Sequence, residues 1–136
     1  MRILHIMASK ANGGAETYST DMMESLHRSG IAELCVVPRA SVNTARLAAS
    51  GVPLALEVLD APFDFWRRRR LQRVVADFKP DLVHCWMRRA ASLVPRLDVP
   101  VIGWFGGYYE PAHFQRCSHF VGVTPGIVDH MVAKGV

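Results

Sequence analysis

Short apolar runs alternate with longer segments of helical period along the whole chain. Arg2 to Met7 reads as a first strand, and Glu33 to Pro38, carrying Leu34, Cys35, Val36 and Val37, as a second. Pro53 to Leu59, Asp81 to Trp86, Val99 to Phe105 and His119 to Val123 supply four more. Between the first two strands, Ala15, Tyr18, Met22 and Leu26 share one helical face, and Gly30 suits the C-terminal cap of a helix from about Ala15 to Ser29. A short helix spans Val42 to Ser50 and stops at Gly51. A longer one reaches Phe78, with Leu71, Val74, Val75 and Phe78 on one face, and Pro80 ends it. Its period puts Arg67 on the core face and Trp66 off it, so it either starts near the arginines or carries an exposed aromatic edge. Arg88 to Val94 is a further helix, and Gly106 to Gln115 an irregular aromatic loop. Thr124 caps a last helix, with Pro125 in its first turn and Gly135 at its end.

Several of these strands are apolar throughout rather than alternating, as in a parallel sheet covered on both faces. The expected fold is therefore α/β, a doubly wound Rossmann-like parallel sheet of about six strands. The 136 residues suit one domain, 1–136, with no repeat, low-complexity segment or linker. Half the residues are hydrophobic and 21% are charged, which provides a core and excludes a disordered chain. No apolar run approaches the roughly 18 residues of a membrane span. The opening run is too short for a secretory signal, and a cytoplasmic location is expected. Cys35, Cys85 and Cys117 form neither a Cys-x-x-Cys pair nor a cluster at metal spacing. They read as reduced, small hydrophobes, with reactivity of Cys117 beside Arg116 as the other reading.

The net charge is +4, and the excess is arginine, 13 against 3 lysines. The densest cluster is Arg67, Arg68, Arg69 and Arg70, directly after Phe63, Phe65 and Trp66. A solvated helix face is one reading. An anionic membrane surface is the other, with aromatics in the interface and arginines on lipid phosphates. No nucleic-acid motif accompanies the charge.

In such sheets ligands bind at the carboxyl ends of the strands. Three segments gather there: Asn12 to Glu16, His84 to Arg89 and Gly106 to Glu110. Gly13 and Gly14 open the first helix, where backbone N–H groups can face an anion, although no dinucleotide fingerprint is present. Glu16 either complements the helix N-terminus or accepts from a sugar hydroxyl. His84 is a core histidine or a general base, and Trp86 is core or a stacking plate for a sugar ring. Of Arg88 and Arg89, one reads as plain surface and the other as a partner suited to phosphate. Gly106, Gly107, Tyr108, Tyr109 and Glu110 combine backbone freedom, flat rings and a carboxylate, and His113 lies in the same loop.

Several segments together resemble a known family. Arg2-Ile-Leu-His-Ile-Met, Gly13-Gly14-Ala15-Glu16-Thr17, Lys79-Pro80-Asp81-Leu82-Val83-His84 and the stretch from Cys117 to Thr124 are similar to the N-terminal half of bacterial GT-B glycosyltransferases of family 4. Trp86-Met87-Arg88-Arg89-Ala90 and the Gly106 to Glu110 loop resemble a subgroup active in lipopolysaccharide-type glycan assembly. The resemblance implies a hexosyltransferase whose N-terminal domain receives a glycan or glycolipid acceptor. A second domain, not in this chain, would bind a nucleotide diphosphate sugar as co-substrate. It implies retention of configuration, no metal or other cofactor, and Gly13 and Gly14 beside the donor diphosphate. The loops after the fourth and fifth strands would shape the acceptor pocket. Many relatives carry a histidine just after the fifth strand. Phe105 stands there in this chain, which leaves Glu110, His84 or His113 as catalytic candidates. Alone, the 136 residues are expected to bind acceptor weakly and catalyse nothing. Two rivals remain: a stand-alone nucleotide- or flavin-binding module, and a lipid-surface adaptor using Phe65, Trp66 and the arginine run.

Overall fold

The computed structural model describes all residues from Met1 to Val136. Six parallel strands form one sheet in the order β3-β2-β1-β4-β5-β6. They are β1 (Arg2–Met7), β2 (Ala32–Val36), β3 (Leu54–Ala55), β4 (Leu82–Trp86), β5 (Val101–Phe105) and β6 (His119–Gly122). The helices are α1 (Gly14–Arg28), α2 (Val42–Ala49), α3 (Asp64–Phe78), α4 (Met87–Leu93) and α5 (Pro125–Ala133), with a 3-10 turn at Pro111–Phe114. This is the doubly wound arrangement, and its strand order reverses between β1 and β4. None of the helices is long and apolar enough to cross a membrane.

Because successive strand residues face opposite sides, the sheet divides its apolar residues between two cores. Leu4, Ile6, Val83, Cys85, Val101 and Phe105 lie in one, closed by Leu71 of α3, Ala90 and Leu93 of α4, and Ile127 and Met131 of α5. Met7, Trp86 and Trp104 lie in the other, under Met23 of α1 and Leu47 of α2. His5 and His84 share that second face, paired across β1 and β4.

The structure departs from the periodicity in two places, and it decides between the two readings of the start of α3. The third strand is two residues long, not seven. Its partner β2 ends at Val36, and Pro38 just beyond has no N–H to extend the ladder. In α1 the fully buried line is Glu16, Ser19, Thr20, Met23 and Glu24, whereas Ala15, Met22 and Leu26 are half-buried and Tyr18 is 46% exposed. Ser19 and Thr20 can be buried because both hydroxyls donate to the Glu16 carbonyl, at 2.9 and 2.8 Å. Finally, α3 starts ahead of the arginines, so it carries the exposed aromatic edge, Phe65 and Trp66.

The loop after β5 is held from beneath. Phe105 stacks on Phe114 at 4.0 Å, and Phe114 lies across Gly103. A Cβ at Gly103 would fall 2.7 Å from the Phe114 ring and 3.0 Å from the Cys117 sulfur. Both neighbours are packed, so Gly103→Ala should destabilise by about 1–3 kcal/mol through overpacking. Urea unfolding of the variant checks this; an unchanged midpoint would show that the Phe114 anchor is loose.

Candidate functional site

The crevice opens where the sheet order reverses, at the carboxyl ends of β1 and β4. A hollow of about 180 Å³ lies there, lined by Ser9, Trp86, Met87, Arg88, Arg89 and Tyr109. Two of the larger hollows, of about 380 and 370 Å³, lie elsewhere. One runs under α3 beside the edge strand, and the other gathers Lys79, Pro80 and Asp98 at the amino ends of β4 and β5.

One wall of the hollow is made by an abrupt turn. β4 passes directly into α4, and Met87 at the junction has φ +69°, a left-handed conformation uncommon for a residue with a Cβ. Such backbone persists only where its surroundings hold it. Trp86 supplies the hold from one side. Its indole N–H donates to Nδ1 of His5 at 3.1 Å, and the ring stacks on His84 with centroids 3.9 Å apart. His5 Nε2 in turn meets the Glu33 carboxyl at 3.1 Å. The turn delivers Arg88 and Arg89 to the rim, both exposed.

The opposite wall comes from the first loop. Ser9 donates to Glu16 Oε1 at 2.7 Å, and the carboxylate folds back against Gly13. A Cβ at Gly13 would lie 3.0 Å from Glu16 Oε2, so the glycine leaves room for this fold. Burial, and then the Glu16 charge, push the Tyr109 phenol upward, with Arg88 opposing. Glu16 and Arg88 thus both bear on Tyr109, which stays a proton donor at neutral pH. A guanidinium, a phenol and a hydroxyl around a shallow cavity suit hydrogen bonding to sugar hydroxyls or an anion.

The structure therefore brings Glu16, Trp86, Arg88, Arg89 and Tyr109 together, with Gly13 behind Glu16 and Gly14 exposed beside it. The other candidates stand apart. Trp86 is 1% exposed, so it offers an edge and not an open plate. The exposed aromatic face nearby is that of Tyr18, stacked on Trp104 at 5.7 Å. Gly106 lies against the Trp104 ring and Gly107 against Tyr109. Tyr108 turns to α5, its ring 5.4 Å from His130, and Glu110 pairs with Lys134 at 3.3 Å. His130 also meets the Tyr109 carbonyl at 2.9 Å, so α5 pins the loop. His113 faces another groove, beside Arg68 and Arg116. His84 is mid-strand with Nε2 buried and unpartnered, outside the lining of the hollow. Phe105, at the place where the resemblance implies a histidine, is wholly buried.

The arginine run is mostly engaged. Arg67 pairs with Asp64 at 2.8 Å, Arg68 donates to the Ser92 carbonyl at 2.9 Å, and Arg70 donates to the Glu57 carbonyl. Arg69 lies over the Phe65 and Trp66 rings, at 5.1 and 5.9 Å. Sequence reasoning missed Ser9 and Asp64, for which no spacing or motif gives a signal.

A family model described as Glycosyltransferase Family 4 matches residues 12–136. The chain belongs to glycosyltransferase family 4. It is 25% identical over 133 residues to the lipopolysaccharide core biosynthesis glycosyltransferase LpsD of Rhizobium meliloti, covering 92% of this chain and 37% of that protein. Among solved structures, Anabaena Alr3699/HepE in complex with UDP and glucose superposes with a TM-score of 0.72 at 15% identity, over 99% of this chain and 41% of that one. The lipopolysaccharide outer core galactosyltransferase WaaB superposes with a TM-score of 0.70 at 16% identity, over 100% of this chain and 43% of that one. The chain thus spans about two-fifths of the length of these relatives.

The histidine beneath Trp86 has a measurable signature. Burial, and then neighbouring His5, push the His84 pKa down from 6.5 to about 3. The unfolded chain takes up this proton near 6.5, and the folded one resists until about 3. The contribution is therefore complete above 6.5 and is lost as pH falls toward 3, at up to about 1.4 kcal/mol per pH unit. Urea midpoints between pH 7 and pH 4 should fall less steeply in His84→Gln than in the parent. An identical slope would contradict the burial of a neutral His84.

Proposed function

We propose that this chain is the acceptor-receiving domain of an enzyme that transfers a hexose from a nucleotide diphosphate sugar to a glycan or glycolipid of the bacterial cell envelope. The observation that carries this reading is the hollow at the carboxyl ends of β1 and β4, where Arg88, Tyr109 and Ser9 converge beside the glycine-opened α1. Its support from outside the fold is the likeness to a lipopolysaccharide core glycosyltransferase. In this reading Arg88 and Tyr109 hold acceptor oxygens. Gly13 and Gly14, at the positive end of α1, border the donor diphosphate. Transfer proceeds with retention and without a metal cofactor. Glu110 is the exposed carboxylate of the rim loop, and His84 supports Trp86.

The same reading places the protein at the inner face of the cytoplasmic membrane. Phe63, Phe65 and Trp66 are all about half exposed or more, at the end of α3 that lies on the site side of the sheet. With Arg69 they suit an anionic interface. Phe65→Ser with Trp66→Ser should abolish co-sedimentation with vesicles of anionic phospholipid. Equal sedimentation would remove this contact from the account.

Calorimetric titration of the 136-residue chain tests the main reading. Core oligosaccharide released from lipopolysaccharide should bind weakly, and Arg88→Ala should weaken it about tenfold, the loss of one charge-assisted hydrogen bond. UDP and flavin mononucleotide should bind less well than the oligosaccharide, and no sugar transfer should be measurable. Tight nucleotide or flavin binding, indifferent to Arg88→Ala, would favour a self-contained nucleotide module instead.

A further inference from the structure

A second cavity, of about 150 Å³, adjoins the hollow on the β2 and β3 side of the same edge. Pro38 and Leu59 help to wall it, and three cations face it: Lys10, Arg67 and Arg89. They come from three different connections, the loop after β1, the first turn of α3 and the first turn of α4. Arg89 lines this cavity and the hollow alike.

The charges do not balance. Asp64 is the one acidic partner, and it serves both arginines. It accepts from Arg67 Nη1 at 2.8 Å and from Arg89 Nη1 and Nη2 at 2.9 and 2.6 Å. The Arg89 contacts first, and then Arg67, hold its carboxyl far below the usual carboxylate range. Lys10 makes no hydrogen bond or ion pair. Three positive groups against one negative leave a local excess of two. Elsewhere on this edge a surface arginine is matched singly: Arg39 pairs with Asp60 at 2.7 Å. An arginine pair clamped by a shared carboxylate has fixed guanidinium planes, and each guanidinium has five N–H donors. Two of those on Arg89 go to Asp64, so three remain, set in position before any ligand arrives. Clamped guanidinium edges beside an unpaired ammonium are the donor set for a phosphate or carboxylate group.

We propose that the Lys10, Arg67 and Arg89 cavity binds an anionic group, phosphate or carboxylate, carried by the acceptor, whose sugar lies in the adjoining Arg88 and Tyr109 hollow. This rests on the acceptor-binding reading above. Arg67 and Arg89 contact the anion, Lys10 closes over it, and Asp64 is a positioning residue. The acceptor is thereby a phosphorylated or uronic-acid-bearing glycan rather than a neutral one.

NMR titration of the 136-residue chain, following the arginine Nε–H signals and backbone amides, tests the proposal. The probes are glucose 6-phosphate, glucose, inorganic phosphate and UDP. Glucose 6-phosphate should shift the Arg67 and Arg89 Nε–H signals and the Lys10 amide saturably, at least tenfold more tightly than glucose, and should also shift Tyr109. Inorganic phosphate should shift the three cations and leave Tyr109 unmoved. Lys10→Gln should weaken glucose 6-phosphate about five- to tenfold. That variant removes an exposed side chain without a bonding partner, so the fold should stand, whereas Arg39→Gln should change nothing. Equal affinity for glucose and its phosphate, or no effect of Lys10→Gln, would overturn the proposal. UDP displacing glucose 6-phosphate from the three cations at lower concentration would also overturn it, since the cavity would then belong to the donor diphosphate. Phosphate-independent shifts at Tyr109 with none at Lys10 would sink the anion site and spare the acceptor reading. Shifts at Lys10 with Tyr109 untouched by any sugar would sink the acceptor reading instead.

Discussion

One buried imidazole ties the centre of this molecule together. His5, in the middle of β1, receives the Trp86 indole N–H from β4 and meets the Glu33 carboxyl of β2. Indole only donates, so Nδ1 of His5 is the acceptor and Nε2 carries the proton shared with Glu33. Three adjacent strands are therefore cross-linked by side chains as well as by their backbone ladders. Trp86 cannot swing away without stranding polar atoms in a dry interior, a cost of about 1–3 kcal/mol for each. With Trp86 fixed, the chain leaving β4 has to turn sharply, and Met87 takes up the left-handed backbone that the turn demands. Arg88 and Arg89 reach the crevice because of that turn.

The same economy shapes the other side of the crevice. Gly13 lets the Glu16 carboxylate fold back, Ser9 fixes its direction, and Glu16 bears on the Tyr109 phenol. Asp64 does for Arg67 and Arg89 what Ser9 does for Glu16, by fixing the orientation of a charged group ahead of any ligand. Preorganisation of this kind concentrates at the carboxyl edge, where two loops and two helix starts meet, and it is missing from the larger hollow at the amino ends of β4 and β5.

The alternation of strands and helices was legible because a parallel sheet buried on both faces needs continuous apolar runs such as Leu82 to Trp86. Leu71 and Val74 marked α3 for the corresponding reason, a 3.6-residue period. Polar burial escaped that logic. Ser19 and Thr20 are interior because each satisfies its hydroxyl on the Glu16 carbonyl, and no hydrophobic pattern reports such a bond. The arginine run looked like a free cationic face, yet Arg67, Arg68 and Arg70 are tied to Asp64, Ser92 and Glu57, partners 3 to 24 positions away. Lys10 and Asp64 lie in no motif. Their meeting depends on which loops the sheet order brings together, and this becomes visible only once the sheet is assembled.

Hydrogen–deuterium exchange of the chain, with and without core oligosaccharide released from lipopolysaccharide, tests most directly whether the carboxyl edge receives the acceptor. Exchange should slow at residues 9–16, 87–89 and 106–110, with the strands beneath unchanged. Slowed exchange around Lys79 and Arg96 at the opposite edge, with these three segments unaffected, would contradict it.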